Sequence, residues 1–282
     1  MKISDIKELE IKANHIRRNI IEQIYAAKSG HPGGALSCTD ILTALYFNQM
    51  NIDEKKPNAL QRDRFVLSKG HASPALYATL AERGYFSKNQ LKTFRSIQGN
   101  LQGHPDMNKV KGVDATTGSL GQGLSIANGM AMNSKINHDG YRVYCLLGDG
   151  EIEEGQVWEA AMTASHYQLD NLCVIVDNNN LQIDGNIEDV AGLTHIEEKF
   201  KSFGFKVLTI DGHNFKDILE AFQIARQTKG RPTVIVAKTV KGKGVSFMEN
   251  QAGWHGKAPN EEQYKQAIMK LSNAIISKNR AE

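Results

Sequence analysis

Asp149 lies in Gly148-Asp149-Gly150 at the end of an apolar run, and 27 residues separate Gly150 from Asn178-Asn179-Asn180. A carboxylate and a carboxamide are hard oxygen donors of the kind that hold Mg2+, an ion that keeps coordination sites open for phosphate. The glycines let backbone N–H groups approach an anion, and a helix starting there favours negative charge. The pattern therefore reads as a site for a divalent cation and a diphosphate. Several of the nine histidines stand beside glycine, and the motifs of interest are Gly30-His31-Pro32, Gly70-His71, Gly103-His104-Pro105 and His255-Gly256. Neutral imidazoles donate and accept hydrogen bonds, which suits sugar hydroxyls and proton transfer near neutral pH. Lys238, Lys241 and Lys243 form the only tight basic run, either a solvated loop or a phosphate contact.

These groups need a scaffold that brings them to one place. Residues 141–147 read as a buried parallel strand, with a helical segment following to about Tyr167 and a second strand at 172–177. A crossover of that length puts both strand ends on one rim, so Asp149 and Asn179 can face each other. Further strands are expected at 64–68, 205–210 and 232–238, and helices at 6–28, 39–50, 73–83, 120–136, 217–227 and 260–277. Long glycine-containing loops fall at 98–117 and 240–259. Strands alternating with helices predict an α/β fold: a mostly parallel sheet with helices on both faces. No Pro/Gly/Ser-rich linker interrupts the chain, so residues 1–282 read as a single domain, with ligands beyond the strand C-termini.

Composition excludes several classes. The net charge of +3, from 34 basic and 31 acidic residues, accumulates no basic block, which argues against nucleic acid. No apolar stretch reaches membrane-spanning length, and the N-terminus lacks an apolar leader segment. Cys38, Cys145 and Cys173 form no disulfide or metal spacing, which fits a reducing cytoplasm. Cys145 and Cys173 fall inside strands and are expected to be small core residues.

The GDG…NN spacing resembles the thiamin diphosphate signature. With Ser29-Gly30-His31-Pro32-Gly33-Gly34, the stretch Asp63 to His71 (DRFVLSKGH), Gly103-His104-Pro105, Thr116 to Gly123 (TTGSLGQG) and Trp254-His255-Gly256-Lys257, the chain resembles the N-terminal, diphosphate-binding domain of transketolase. The resemblance runs from about His15 to Pro259. It implies that Asp149, Asn179 and the Leu181 carbonyl ligate Mg2+ (or Ca2+ or Mn2+), and that Gly150 and Lys241 contact the diphosphate. Gly118 and Leu120 would present backbone groups to the aminopyrimidine. His31, His71, His104 and His255 would line the entrance and hold donor and acceptor sugars, with His71 also near the cofactor. Glu154 would lie in a polar channel linking paired active sites. Asn178 and Asn180 would flank the metal without binding it.

In the family a further domain supplies the glutamate that activates the aminopyrimidine, a stacking aromatic residue and basic groups for substrate phosphate. This chain holds no such segment, so it resembles the N-terminal subunit of a split transketolase. The implied partner is a separately encoded C-terminal subunit in an α2β2 heterotetramer, moving a two-carbon ketol unit between sugars such as pentose phosphates. Two alternatives stand beside this. One is half of another thiamin enzyme, a deoxyxylulose phosphate synthase or a 2-oxoacid dehydrogenase. The other is a cofactor-binding subunit without chemistry. The histidine set favours ketol transfer over the first, and the intact Asp149 and Asn179 favour it over the second.

Overall fold

The computed structural model describes residues 2–280. Five strands form one sheet: β1 (Arg64–Leu67), β2 (Val143–Gly148), β3 (Leu172–Asn178), β4 (Lys206–Asp211) and β5 (Thr233–Lys238). Their order is β1-β2-β3-β5-β4, and every pairing is parallel. The helices are α1 (Ile6–Ala27), α2 (Pro32–Ser37), α3 (Thr39–Ala44), α4 (Ser73–Arg83), α5 (Gly123–Ile136), α6 (Gly155–His166), α7 (Ile187–Ala191), α8 (Ile196–Ser202), α9 (Phe215–Gln227) and α10 (Glu261–Arg280).

Side chains alternate across a strand, so the central strands feed two cores. Tyr144, Leu146, Cys173, Ile175 and Ile235 pack on one face with α1, α4 and α9. Val143, Cys145, Leu147, Val174 and Val236 pack on the other with α5, α6 and α8. Both faces are covered, which is why these strands read as continuous apolar runs. All three cysteines are buried and unpaired. Among the described residues no helix is long and apolar enough to cross a membrane.

Several local expectations need correction. The first helix ends one residue earlier, at a left-handed Lys28 rather than at Ser29-Gly30. The stretch 39–50 is α3 followed by a π-turn, Leu45–Gln49. The small-residue helix begins at Gly123, three residues late. The helix after Asp149 is split: a 3-10 turn covers Gly150–Glu153, and α6 starts at Gly155 because Glu154 is extended. The short α2, α7 and α8 were not expected, since each is too brief for helical periodicity to stand out.

Candidate active site

The C-terminal ends of β1, β2, β3 and β5 open onto one cavity of about 220 Å³. Its walls include Asp149, Gly150, Asn179, Leu181, Lys241, His71, His255 and Leu120, eight of the twelve residues singled out in the sequence. The register explains the meeting. Gly148 pairs with Asp177 across β2 and β3, and Asn178 with Lys238 across β3 and β5. The loops that leave these strands therefore start side by side.

Asp149 is tied down on all sides. Its carboxylate accepts from the backbone N–H groups of Gly150 (2.9 Å) and Asn180 (2.5 Å) and from the Asn178 side chain (3.2 Å). Asn178 and Asn180 thus orient Asp149. Burial, with the negative charge of Asp177 behind it, raises the Asp149 carboxyl to about 6. Asn179 donates from its amide nitrogen to Asp177 (3.4 Å), and its oxygen accepts from the Leu181 N–H (3.2 Å). The basic run divides. Lys238 reaches Asn178 (2.7 Å) and Glu197 (3.1 Å) with a half-exposed side chain. Lys241 is buried and donates to the Leu181 carbonyl (2.7 Å) and to His255 Nδ1 (2.9 Å). It has no carboxylate ion pair among the described residues, and burial lowers its ammonium to about 8.

These opposite deficits fit a metal diphosphate. A buried carboxylate that resists ionisation is relieved by a cation, and a buried ammonium without a counter-ion is relieved by an anion. No group of three His, Cys, Asp or Glu residues capable of holding a metal occurs among the described residues. Mg2+ takes one or two carboxylates and completes its shell with phosphate and water, and Asp149 with the Asn179 oxygen offers donors of that kind.

The histidines converge beside this cavity. The His31 ring lies 5.3 Å from that of His71 and 5.5 Å from that of His255, and His71 and His255 are 5.1 Å apart. Burial lowers all four: His31 to about 4 with help from the Arg95 charge, and His255 to about 3 with help from Lys241. His71 falls well below its usual value through burial and Lys69, and His104 falls through burial and Arg95. All are neutral at physiological pH. Lys241 has no acceptor, so His255 Nδ1 must accept and the ring proton sits on Nε2. Arg95, 3.4 Å from His31 Nδ1, sets the same tautomer there.

His31, His104, Gly118 and Glu154 stand outside the cavity wall. Gly118, at φ 151°, packs on the His104 ring, where a Cβ would come within 3.0 Å. Glu154 is exposed beside Gly121. The structure also brings in three residues that sequence reasoning passed over. Lys69 forms a buried ion pair with Asp177 (2.5 Å) and donates to the Gly34 carbonyl (2.7 Å). Glu151 accepts from Ser68 (2.5 Å) and from the N–H groups of Gly121 (3.1 Å) and Gly148 (3.0 Å). Lys69 stands within a recognised motif and Asp177 at the end of an expected strand, but nothing in their spacing announces a pair 108 residues apart.

The parallel α/β sheet thus carries at its strand ends a cavity lined by both the buried Asp149 carboxylate and the buried Lys241 ammonium. The family model described as "Transketolase, thiamine diphosphate binding domain" matches residues 9–274, and the chain belongs to that family. It is 43% identical over 270 residues to a protein from Phocaeicola vulgatus that is named as one subunit of an apulose-4-phosphate transketolase, covering 96% of both chains. It is 44% identical over 264 residues to a 6-deoxy-6-sulfo-D-fructose transketolase subunit from a Clostridium species, covering 94% of this chain and 96% of that one. Human transketolase is 41% identical over 280 residues, but only 44% of its length is matched. The crystal structure of Campylobacter jejuni transketolase superposes with a TM-score of 0.89 at 34% identity, over 97% of this chain and 46% of that one.

Proposed function

We propose that this protein is the N-terminal subunit of a split transketolase, a single diphosphate-binding domain that transfers a two-carbon ketol unit from a ketose to an aldose with a separately encoded C-terminal subunit. One observation carries it: the chain matches 96% of the length of two relatives that are themselves named as subunits, against 44% of a whole transketolase. The cavity supports it too. At about 220 Å³ it falls short of the roughly 300 Å³ at the lower end of ligand pockets. It suits an ion and a diphosphate better than an entire cofactor.

Asp149, Asn179 and the Leu181 carbonyl would hold Mg2+, and Gly150 and Lys241 the diphosphate. Gly118 and Leu120 would meet the aminopyrimidine. Bound thiamin diphosphate supplies the electron sink for carbon–carbon cleavage. His31 and His255, with protons on Nε2, would donate to sugar oxygens, while His71 and His104 complete the donor and acceptor surface. Glu154, exposed in the single chain, would face a second active site in an α2β2 assembly. Both subunit relatives are named for anionic sugars, a phosphate and a sulfonate, so anionic pentoses and hexoses are the substrates to try first.

The test is ketol transfer from xylulose 5-phosphate to ribose 5-phosphate, together with apulose 4-phosphate and sulfofructose as donors. The isolated chain is expected to be inactive, and adding the C-terminal subunit should give transfer from at least one donor. Robust turnover by the purified single chain would defeat the split arrangement.

A further inference from the structure

We propose that His213 is a positioning residue for the diphosphate-binding loop: anchored by Asp40, it holds the Val240 amide and so places the adjacent Lys241. The proposal rests on the role given above to Lys241. His213 follows β4 and is not part of the cavity wall. Its Nδ1 lies 2.7 Å from an Asp40 oxygen, and its Nε2 lies 2.8 Å from the Val240 nitrogen. A backbone N–H can only donate, so Nε2 accepts and the ring proton is on Nδ1, donated to Asp40. Asp40 is in turn paired with Arg17 at 2.5 Å, with both side chains only 6% exposed. Burial alone would raise the Asp40 carboxyl. The Arg17 charge and the bonds from His213 and Arg17 outweigh it, so Asp40 stays below its usual value and ionised.

The loop is built to receive this contact. Gly212 donates its N–H to the Lys238 carbonyl (2.8 Å), and a Cβ there would lie 2.5 Å from the Thr239 methyl. The turn carrying His213 is thereby seated directly on Thr239 and Val240. Past Lys241, Gly242 N–H donates to the Gly33 carbonyl (3.0 Å), and Asn250 N–H to the Lys241 carbonyl (2.9 Å). The Thr239 hydroxyl is held by Asp177. His213 is the side chain that fixes the residue immediately before Lys241, and it does so without touching the cavity.

The test is a thermodynamic cycle read as thiamin diphosphate affinity, with Mg2+, in the assembled two-subunit complex. With the loop anchor gone, His213→Phe should weaken binding about tenfold, which is about 1.4 kcal/mol. His213→Asn, which can still donate to Asp40 but is too short to accept from Val240, should lose as much. His213→Gln, long enough to do both, should recover most of the affinity. In a K241M background the His213 substitutions should have no further effect, because a residue acting through Lys241 cannot act twice. Additive losses in that background, or unchanged affinity in both the Phe and Asn variants, would overturn the proposal. If K241M itself leaves affinity intact, the assignment of Lys241 to the diphosphate fails instead, a separate result.

Discussion

Asp149→Ala is expected to remove metal-dependent thiamin diphosphate binding, by on the order of 100-fold or more. Outer-shell partners of metal ligands typically cost 10–100-fold, and a direct carboxylate ligand should exceed that. Titrating the two-subunit complex with cofactor and Mg2+ measures the loss without relying on turnover. Unfolding would mimic it, and the Asp149 environment provides the control. The carboxyl is raised from 3.8 to about 6 by burial and by Asp177. A raised carboxyl contributes no penalty below the unfolded value, and stability is lost as pH climbs through about 6. At about 1.4 kcal/mol per pKa unit, that rise corresponds to roughly 3 kcal/mol at pH 8 in the cofactor-free chain. The cofactor-free parent should therefore lose stability between about pH 4 and about pH 6, and Asp149→Ala, which has no carboxyl to titrate, should lack that loss while still failing to bind cofactor with metal. Parent-like cofactor affinity in the alanine variant would sink the metal assignment.

Lys69→Met is expected to destabilise the chain by about 3–5 kcal/mol, since it strands the Asp177 charge at a site with 0% exposure. Burial works against both charges of this pair. Mutual attraction more than offsets it, holding Asp177 below and Lys69 above their usual values. Asp177 also accepts from Ser37 (2.5 Å), Thr239 and the Asn179 amide. It therefore fixes which end of the Asn179 side chain faces the cavity. The paired replacement Lys69→Met/Asp177→Leu should recover most of the stability, because buried ion pairs are often replaceable by apolar residues of similar volume. It should not recover the full Mg2+-dependent cofactor affinity, since the Asn179 amide nitrogen loses its Asp177 acceptor and the Leu181 N–H alone then orients the side chain. Denaturant unfolding and cofactor titration on the same samples separate the two effects. Full recovery of both would reduce Asp177 to a packing role.

The strands and most long helices were legible because burial imposes a period. Residues 73–83 carry a helix with nothing but local pattern to define it, and Val143 to Gly148 are apolar because both sheet faces are covered. The cavity was legible as far as glycine and polar residues cluster after strands. Asp149, Asn179, Leu181 and Lys241 all arrive there. What pattern could not carry was pairing at long range. Lys69 with Asp177, Glu151 with Ser68 and His213 with Asp40 are contacts between residues 83 to 173 positions apart. Nor could periodicity reveal α2, six residues of mostly small side chains, or the extended Glu154 that breaks the helix after the GDG turn.

The parallel order of the sheet has a consequence for how the protein comes into being. Arg64 meets Val143, and Cys173 meets Thr233, so neighbouring strands wait on long stretches of intervening chain. Pairing at such sequence separation is slow compared with local helix contacts. On a ribosome, Asp149 and Asn179 would emerge well before β5 can lock β3 in register and bring Lys241 across. The cavity wall is therefore incomplete until β5 and the loop that carries Lys241 and His255 have been made.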